Sequence, residues 1–187
     1  MTDLSALWLP VLVSSVAVFV LSSIIHMMSP WHKSDYPRLA NEDAVMDALR
    51  PFSIPPGDYM MPRPASRDDL RSPEFLAKRE RGPVAVFTIM PNGAFAMGKY
   101  LARWFVYIVV VSAFAACITA SALAPGANDH AVFHFIGITA FGGYALALWQ
   151  MSIWYHRSWM TTIKANVDGI IYALATALIF TWFWPKG

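Results

Sequence analysis

The sequence predicts an all-α membrane protein: four transmembrane helices, with a proline-rich cytoplasmic loop between the first and the second. Three observations lead there. The chain of 187 residues is 57% hydrophobic and only 14% charged, with eight Trp and a mean hydropathy of +0.44; soluble domains are roughly 25% charged. The apolar residues gather into four long runs, each about the length needed to cross a hydrocarbon core. The polar residues gather elsewhere: Ser29–Tyr100 holds ten of the fourteen Lys/Arg, nine of the twelve Asp/Glu and ten of the thirteen prolines.

The first run, Leu4–Met28, contains one titratable residue, His26. A signal peptide would carry a basic start, a shorter apolar core and a small-residue cleavage site. Here Thr2 and Asp3 precede the run and Ser29-Pro30-Trp31-His32-Lys33 follows it, so it reads as an uncleaved span. Trp104–Leu123 gives the second span, Ala131–Tyr155 the third and Gly169–Trp184 a slightly short fourth. Backbone groups in lipid must be satisfied within the segment, which makes these runs helices. The chain divides into residues 1–28, an outside-facing N-terminus and first span; 29–100, a cytoplasmic cap; and 101–187, a three-helix transmembrane region.

Orientation follows from the basic residues, which favour the cytoplasmic side. Lys33, Arg38, Lys99 and Arg103 flank the long loop, and Arg157 and Lys164 lie between the third and fourth spans. The 124–130 turn has no Lys or Arg, and the C-terminal tail has Lys186 alone. Both termini are therefore expected outside. Small residues four apart, Ala116/Ala120/Ala124, Gly143/Ala147 and Gly169/Ala173/Ala177, allow close helix approach. They serve either a self-contained bundle or a face that docks another protein. Ser15 and Ser22 are candidates for hydrogen bonds between helices.

Within the long loop, Asn41 is placed to cap a helix over Glu42–Arg50, and Ser72-Pro73 opens a second that Gly82 closes. Val84–Met90, bracketed by prolines, is too short to span and reads as a strand, a buried extended piece or an interfacial segment. Beyond Arg157 and Lys164, Asn166 and Asp168 are read as caps of the fourth span.

Motifs for phosphate loops, dinucleotide binding, zinc proteases and serine hydrolases are absent. The lone Cys117 has no neighbouring His, and its role is packing. A net charge of +2 without a basic cluster excludes nucleic acid as a partner. The histidines remain. His130 and His134, one helical turn apart beside Asp129, can offer a copper or zinc site; the plainer role is capping by Asn128 and Asp129. His26 and His156, both expected near the cytoplasmic surface, can offer a haem an axial pair. Charged residues at mid-span are missing, which weighs against an ion-coupled transporter.

The runs His32-Lys33-Ser34-Asp35-Tyr36-Pro37-Arg38, Asn41–Arg50 and Ala145-Leu146-Ala147-Leu148-Trp149-Gln150 resemble small multi-pass inner-membrane proteins of bacteria with no assigned activity. That resemblance implies a bacterial inner membrane and no particular chemistry. The expectation is a protein in the lipid bilayer acting as a non-catalytic accessory or scaffold subunit among other membrane-protein subunits. The alternative is a small metal- or haem-binding redox or transport protein.

Overall fold

The structure is a computed structural model in which residues 1–186 are described. It forms two compact units, Met1–Pro37 with Ala96 onward, and Arg38–Phe95. The first contains four helical segments long and apolar enough to cross a membrane: Leu4–Met28, Met97–Ala122, Asp129–Tyr155 and Trp159–Phe183. The chain is a multi-pass membrane protein.

The first span is helix α1, Trp8–Ser23, with a 3-10 turn before it and a π turn, Ile24–Met28, after it. In the second unit come α2 (Glu42–Leu49), β1 (Gly57–Met61), α3 (Pro73–Arg81) and β2 (Ala85–Ile89). The second span is α4, Met97–Ala122, and the third is α5, Asp129–Tyr144, followed after a 3-10 turn by α6, Trp149–Tyr155. Helix α7, Trp159–Phe183, is the fourth.

Helices α1, α4, α5 and α7 form a four-sided bundle, each packing on two neighbours: α1 on α4 and α7, α5 on α4 and α7. In lipid, helices gain little from the hydrophobic effect and associate through close packing and interhelical hydrogen bonds. Both are present. A Cβ on Gly143 would lie 2.8 Å from Val111 Cγ1, and one on Gly169 would lie 2.7 Å from Ala145 Cβ. Ala116, Ala120 and Ala177 are buried in one core cluster with Leu7, Ile136 and Phe180, and Ala173 in the other with Val18, Ile108 and Tyr172. Ser14 bonds Ser112 at 2.7 Å, and Trp104 Nε1 donates to Ser22 Oγ at 2.8 Å. Ser15 instead donates to Val11 O within its own helix.

Two boundaries differ from those expected. The fourth span begins at Trp159, ten residues before Gly169, because the polar side chains along its first turns find partners: Thr162 with Ser152, and Lys164 and Asp168 with the segment after the first span. Asn166 and Asp168 therefore lie inside the helix and do not cap it. The helix of the second span starts at Met97 and runs on through Lys99 and Arg103 into the apolar run. The third is broken at Ala145 (φ −130°, ψ −40°), next to the Gly142-Gly143 pair. Helices bend at such pairs, and the freed Gly143 carbonyl accepts from Tyr107 Oη at 2.5 Å. Trp184, just past the end of α7, is buried and donates to Ala124 O.

The second unit amends the all-α expectation. Strands β1 and β2 pair antiparallel, Tyr59 opposite Phe87 with their rings stacked at 5.7 Å. Ser72 caps α3 by accepting from Phe75 N, Pro73 takes the first helical position, and Gly82 follows the last turn at φ +61°. Asn41 precedes α2 in the left-handed region and makes no side-chain cap bond. Phe75 is the one buried hydrophobic side chain of this unit among the described residues. Prolines leave few segments long enough to build a core.

Candidate functional site

The polar groups of the bundle converge at the end where the first span meets the 29–37 segment. Ser29-Pro30 ends the helix, since Pro cannot continue the ladder, and Trp31–Asp35 turns back against α7. Lys164 and Asp168, four apart on α7, share the helix face that receives it. Lys164 Nζ donates to Trp31 O (2.7 Å), Ser34 Oγ (2.8 Å) and Asp35 Oδ1 (2.9 Å). Asp168 accepts from Trp31 Nε1 at 3.2 Å on Oδ1, and faces His32 Nε2 at 2.8 Å with Oδ2. His32 Nδ1 lies 2.7 Å from Asp35 Oδ2. The Lys164, Asp168 and Asp35 side chains are all under a tenth exposed.

Charges so buried persist only when paired and fully hydrogen-bonded. With His32 as imidazolium, the one form in which both ring nitrogens donate, two cations face two carboxylates. Burial disfavours the charged form of Asp35, yet the hydrogen bonds and charges of His32 and Lys164 outweigh it and hold its carboxyl below the usual carboxylate pKa. The ammonium also sits 5.5 Å from the centroid of the Trp31 ring.

His26, on the π turn, stacks on His32 with ring centroids 4.2 Å apart. Its Nδ1 lies 3.1 Å from Ser22 O. A carbonyl can only accept, so Nδ1 carries the proton and Nε2 is left as the coordinating nitrogen. His32 has the same tautomer once its Nε2 proton is lost, with Nδ1–H still donating to Asp35. One potential ligand atom from each of His26, His32 and Asp168 lies within 4.8 Å of the other two. Each ligand is thus already oriented from behind, by a carbonyl, a carboxylate or an indole N–H, as supporting groups do at metal centres. A metal about 2.1 Å from each atom would set them roughly 3–3.5 Å apart. That requires His32 and Asp168 to part slightly and the widest pair to draw in. The stacked His26 and His32 rings must also tilt toward each other, since the in-plane lone pairs of rings 13° from parallel do not meet.

Beside this cluster lies a cavity of about 480 Å³ lined by His26, Asp168, Trp104, Tyr144, Tyr172 and Arg157 together with apolar side chains. Trp104 packs on Tyr107, Tyr144 and Tyr172 at centroid distances of 5.6, 6.5 and 6.2 Å. Metal ligands beside a half-open, largely apolar pocket are the ingredients of a site that binds a further molecule.

Of the residues singled out from sequence, His26 falls within this cluster. His156 ends α6 in the left-handed region (φ +55°), exposed, and the imidazole stacked on His26 is that of His32. His130 and His134 lie at the start of α5 with centroids 4.1 Å apart, but His134 Nδ1 bonds His130 O. Asp129 does not join them to bring three ligand atoms together, and the α5 cap is Asn128, accepting from Ala131 N at 2.8 Å. His32, Lys164 and Asp168 are residues that sequence reasoning did not assign to a site. The available signals were the break at Ser29-Pro30 between two histidines, and a Lys and an Asp four apart just ahead of an apolar run.

No protein-family model, curated protein or solved structure matches this chain.

Proposed function

We propose that this membrane protein binds a divalent first-row transition metal, zinc or iron, through His26, His32 and Asp168, with a coordination position open to the adjacent cavity. The single observation that carries this is the convergence of three ligand atoms within 4.8 Å, each from a residue whose other polar atom is already held. Two imidazoles and one carboxylate are a donor set that suits zinc and non-haem iron. Asp35 and Lys164 serve as the outer shell: Asp35 fixes the His32 ring, and Lys164 fixes Asp35. Of the two finer functions, a small metal-binding redox or transport protein is the better supported. An accessory or scaffold subunit drew on the small-residue stripes, and Gly143, Gly169, Ala116, Ala120, Ala173 and Ala177 all pack within this bundle.

The test is metal content after purification in mild detergent, with zinc or iron supplied during growth. Close to one metal per chain is expected, lost in His26→Ala and in Asp168→Asn. The pair His130→Ala with His134→Ala should keep it. A visible spectrum with a Soret band that depends on His26 and His156 would favour haem instead. Metal retained by His26→Ala but lost from the His130/His134 double variant would move the site to the other end of the bundle.

We further infer a bacterial inner membrane, with residues 29–100 and the His26/Asp168 end cytoplasmic and both termini outside. The distribution of Lys and Arg along the sequence supports the orientation, and the bacterial inner membrane rests on the resemblance of the sequence alone.

A further inference from the structure

We propose that the cavity beside His26 and Asp168 binds a single-chain carboxylate amphiphile, a long-chain fatty acid, with its head at Arg157 and Tyr172. Three buried polar atoms in the cavity's lining residues are left open: Tyr172 Oη and Arg157 Nε have no hydrogen-bond partner, and Tyr144 Oη has none beyond a loose approach to the Thr176 hydroxyl. Tyr172 is only 4% exposed and Tyr144 7%, so water does not readily serve them. Nearly all buried polar groups in proteins are bonded, and three open ones around one cavity mark a place that a ligand completes.

The chemistry of these groups selects the head. Two phenols and a guanidinium N–H offer donors, so the ligand presents acceptors. Arg157 has no acidic partner among the described residues, while the nearby Asp168 already has His32 and Trp31. The uncompensated charge is therefore positive, and a half-buried guanidinium whose Nε is fully covered is best met by a carboxylate. The walls select the body. Met27, Leu101, Trp104 and Leu148 line the space, whose volume falls in the range of small-molecule sites, about 300–1,000 Å³. It lies where the first span ends, at a depth an amphiphile reaches from the lipid with its head toward water.

The proposal rests on Arg157, Tyr172 and Tyr144 and not on the metal, so the two are tested apart. Full-length protein in detergent, with chelator and then with zinc, is titrated with palmitate, methyl palmitate and acetate and read by native mass spectrometry. One palmitate per chain is expected in both conditions. Methyl palmitate keeps the tail and loses the charge; it should bind at least about tenfold more weakly, and acetate should not bind. Tyr172→Phe removes one oxygen and nothing else, and it and Arg157→Gln should each weaken palmitate by about tenfold or more. Equal binding of the acid and its ester, or unchanged binding in Tyr172→Phe, would overturn the proposal. The comparison of acid with ester needs no variant, so a failure of Arg157→Gln to fold leaves the test intact. Palmitate binding that appears only with zinc would also overturn it, because the head would then be on the metal.

Discussion

Lys164 is the residue whose role the sequence disguises most. It reads as one more basic residue on a connection between spans, the kind that sets orientation. In the structure it is buried, and its three donors are matched one for one by Trp31 O, Ser34 Oγ and Asp35 Oδ1. Nothing local in the sequence could reveal this, since the partners lie about 130 positions away and meet it only once two helices pack. Asp168 misleads in the same way: an acidic residue before an apolar run resembles a cap, whereas it is an interior helix position bonded to Trp31 and His32. Removing one member of such a network is costly because the partner stays buried and charged. Lys164→Met should therefore destabilise the bundle by about 3–5 kcal/mol. The double variant Lys164→Met, Asp35→Asn should lose clearly less than the two single losses added together. Thermal unfolding in detergent measures both; additive losses would mean that the pair is not coupled.

At the scale of elements, the four spans were legible because length and hydropathy are local properties, and the small-residue spacing pointed to close approach. The ends of the spans were not legible. Polar residues at Thr161, Thr162, Lys164 and Asp168 dilute the hydropathy of α7, yet the helix continues because Thr162, Lys164 and Asp168 find partners in the fold. The pairing of β1 with β2 joins segments far apart in sequence, and one run of alternating residues cannot announce its partner. The close contacts can be tested by adding a single methyl group. Gly169→Ala places a Cβ 2.7 Å from Ala145 Cβ, at the point where the third span breaks, whereas Gly137→Ala places one 3.5 Å from Ala177 Cβ, an ordinary contact. Overpacking of the first kind costs about 1–3 kcal/mol. Gly169→Ala should lower the unfolding temperature and Gly137→Ala should leave it near that of the parent. Similar effects from the two would show that helix propensity, and not helix separation, governs these positions.

For the whole molecule, hydrogen bonds assign the bundle's polar connections to two ends. Thr2 bonds Ala120 and Leu123, and Gly126 bonds Pro185, so both termini and the 124–130 turn share one end. Trp31–Asp35 and the start of α7 share the other, through Lys164 and Asp168. Four crossings require this arrangement, and neither packing nor hydropathy says which end faces the cytoplasm. That choice falls to the basic residues. In sequence, Lys33 and Arg38 follow the first span, Lys99 and Arg103 lie in the first turns of α4, and Arg157 lies between α6 and α7, while the opposite turn has no Lys or Arg. Lys164 is best left out of the count, since its charge is matched inside the fold, and the bias survives without it. The inferred orientation is checked by cysteine labelling in intact cells with Cys117, which is exposed, replaced by Ala. An impermeant maleimide should label Ala127→Cys from outside and should label Ser66→Cys only after the membrane is opened. Labelling of Ser66→Cys but not Ala127→Cys in intact cells would reverse the orientation, and the metal and fatty-acid sites would then face the exterior.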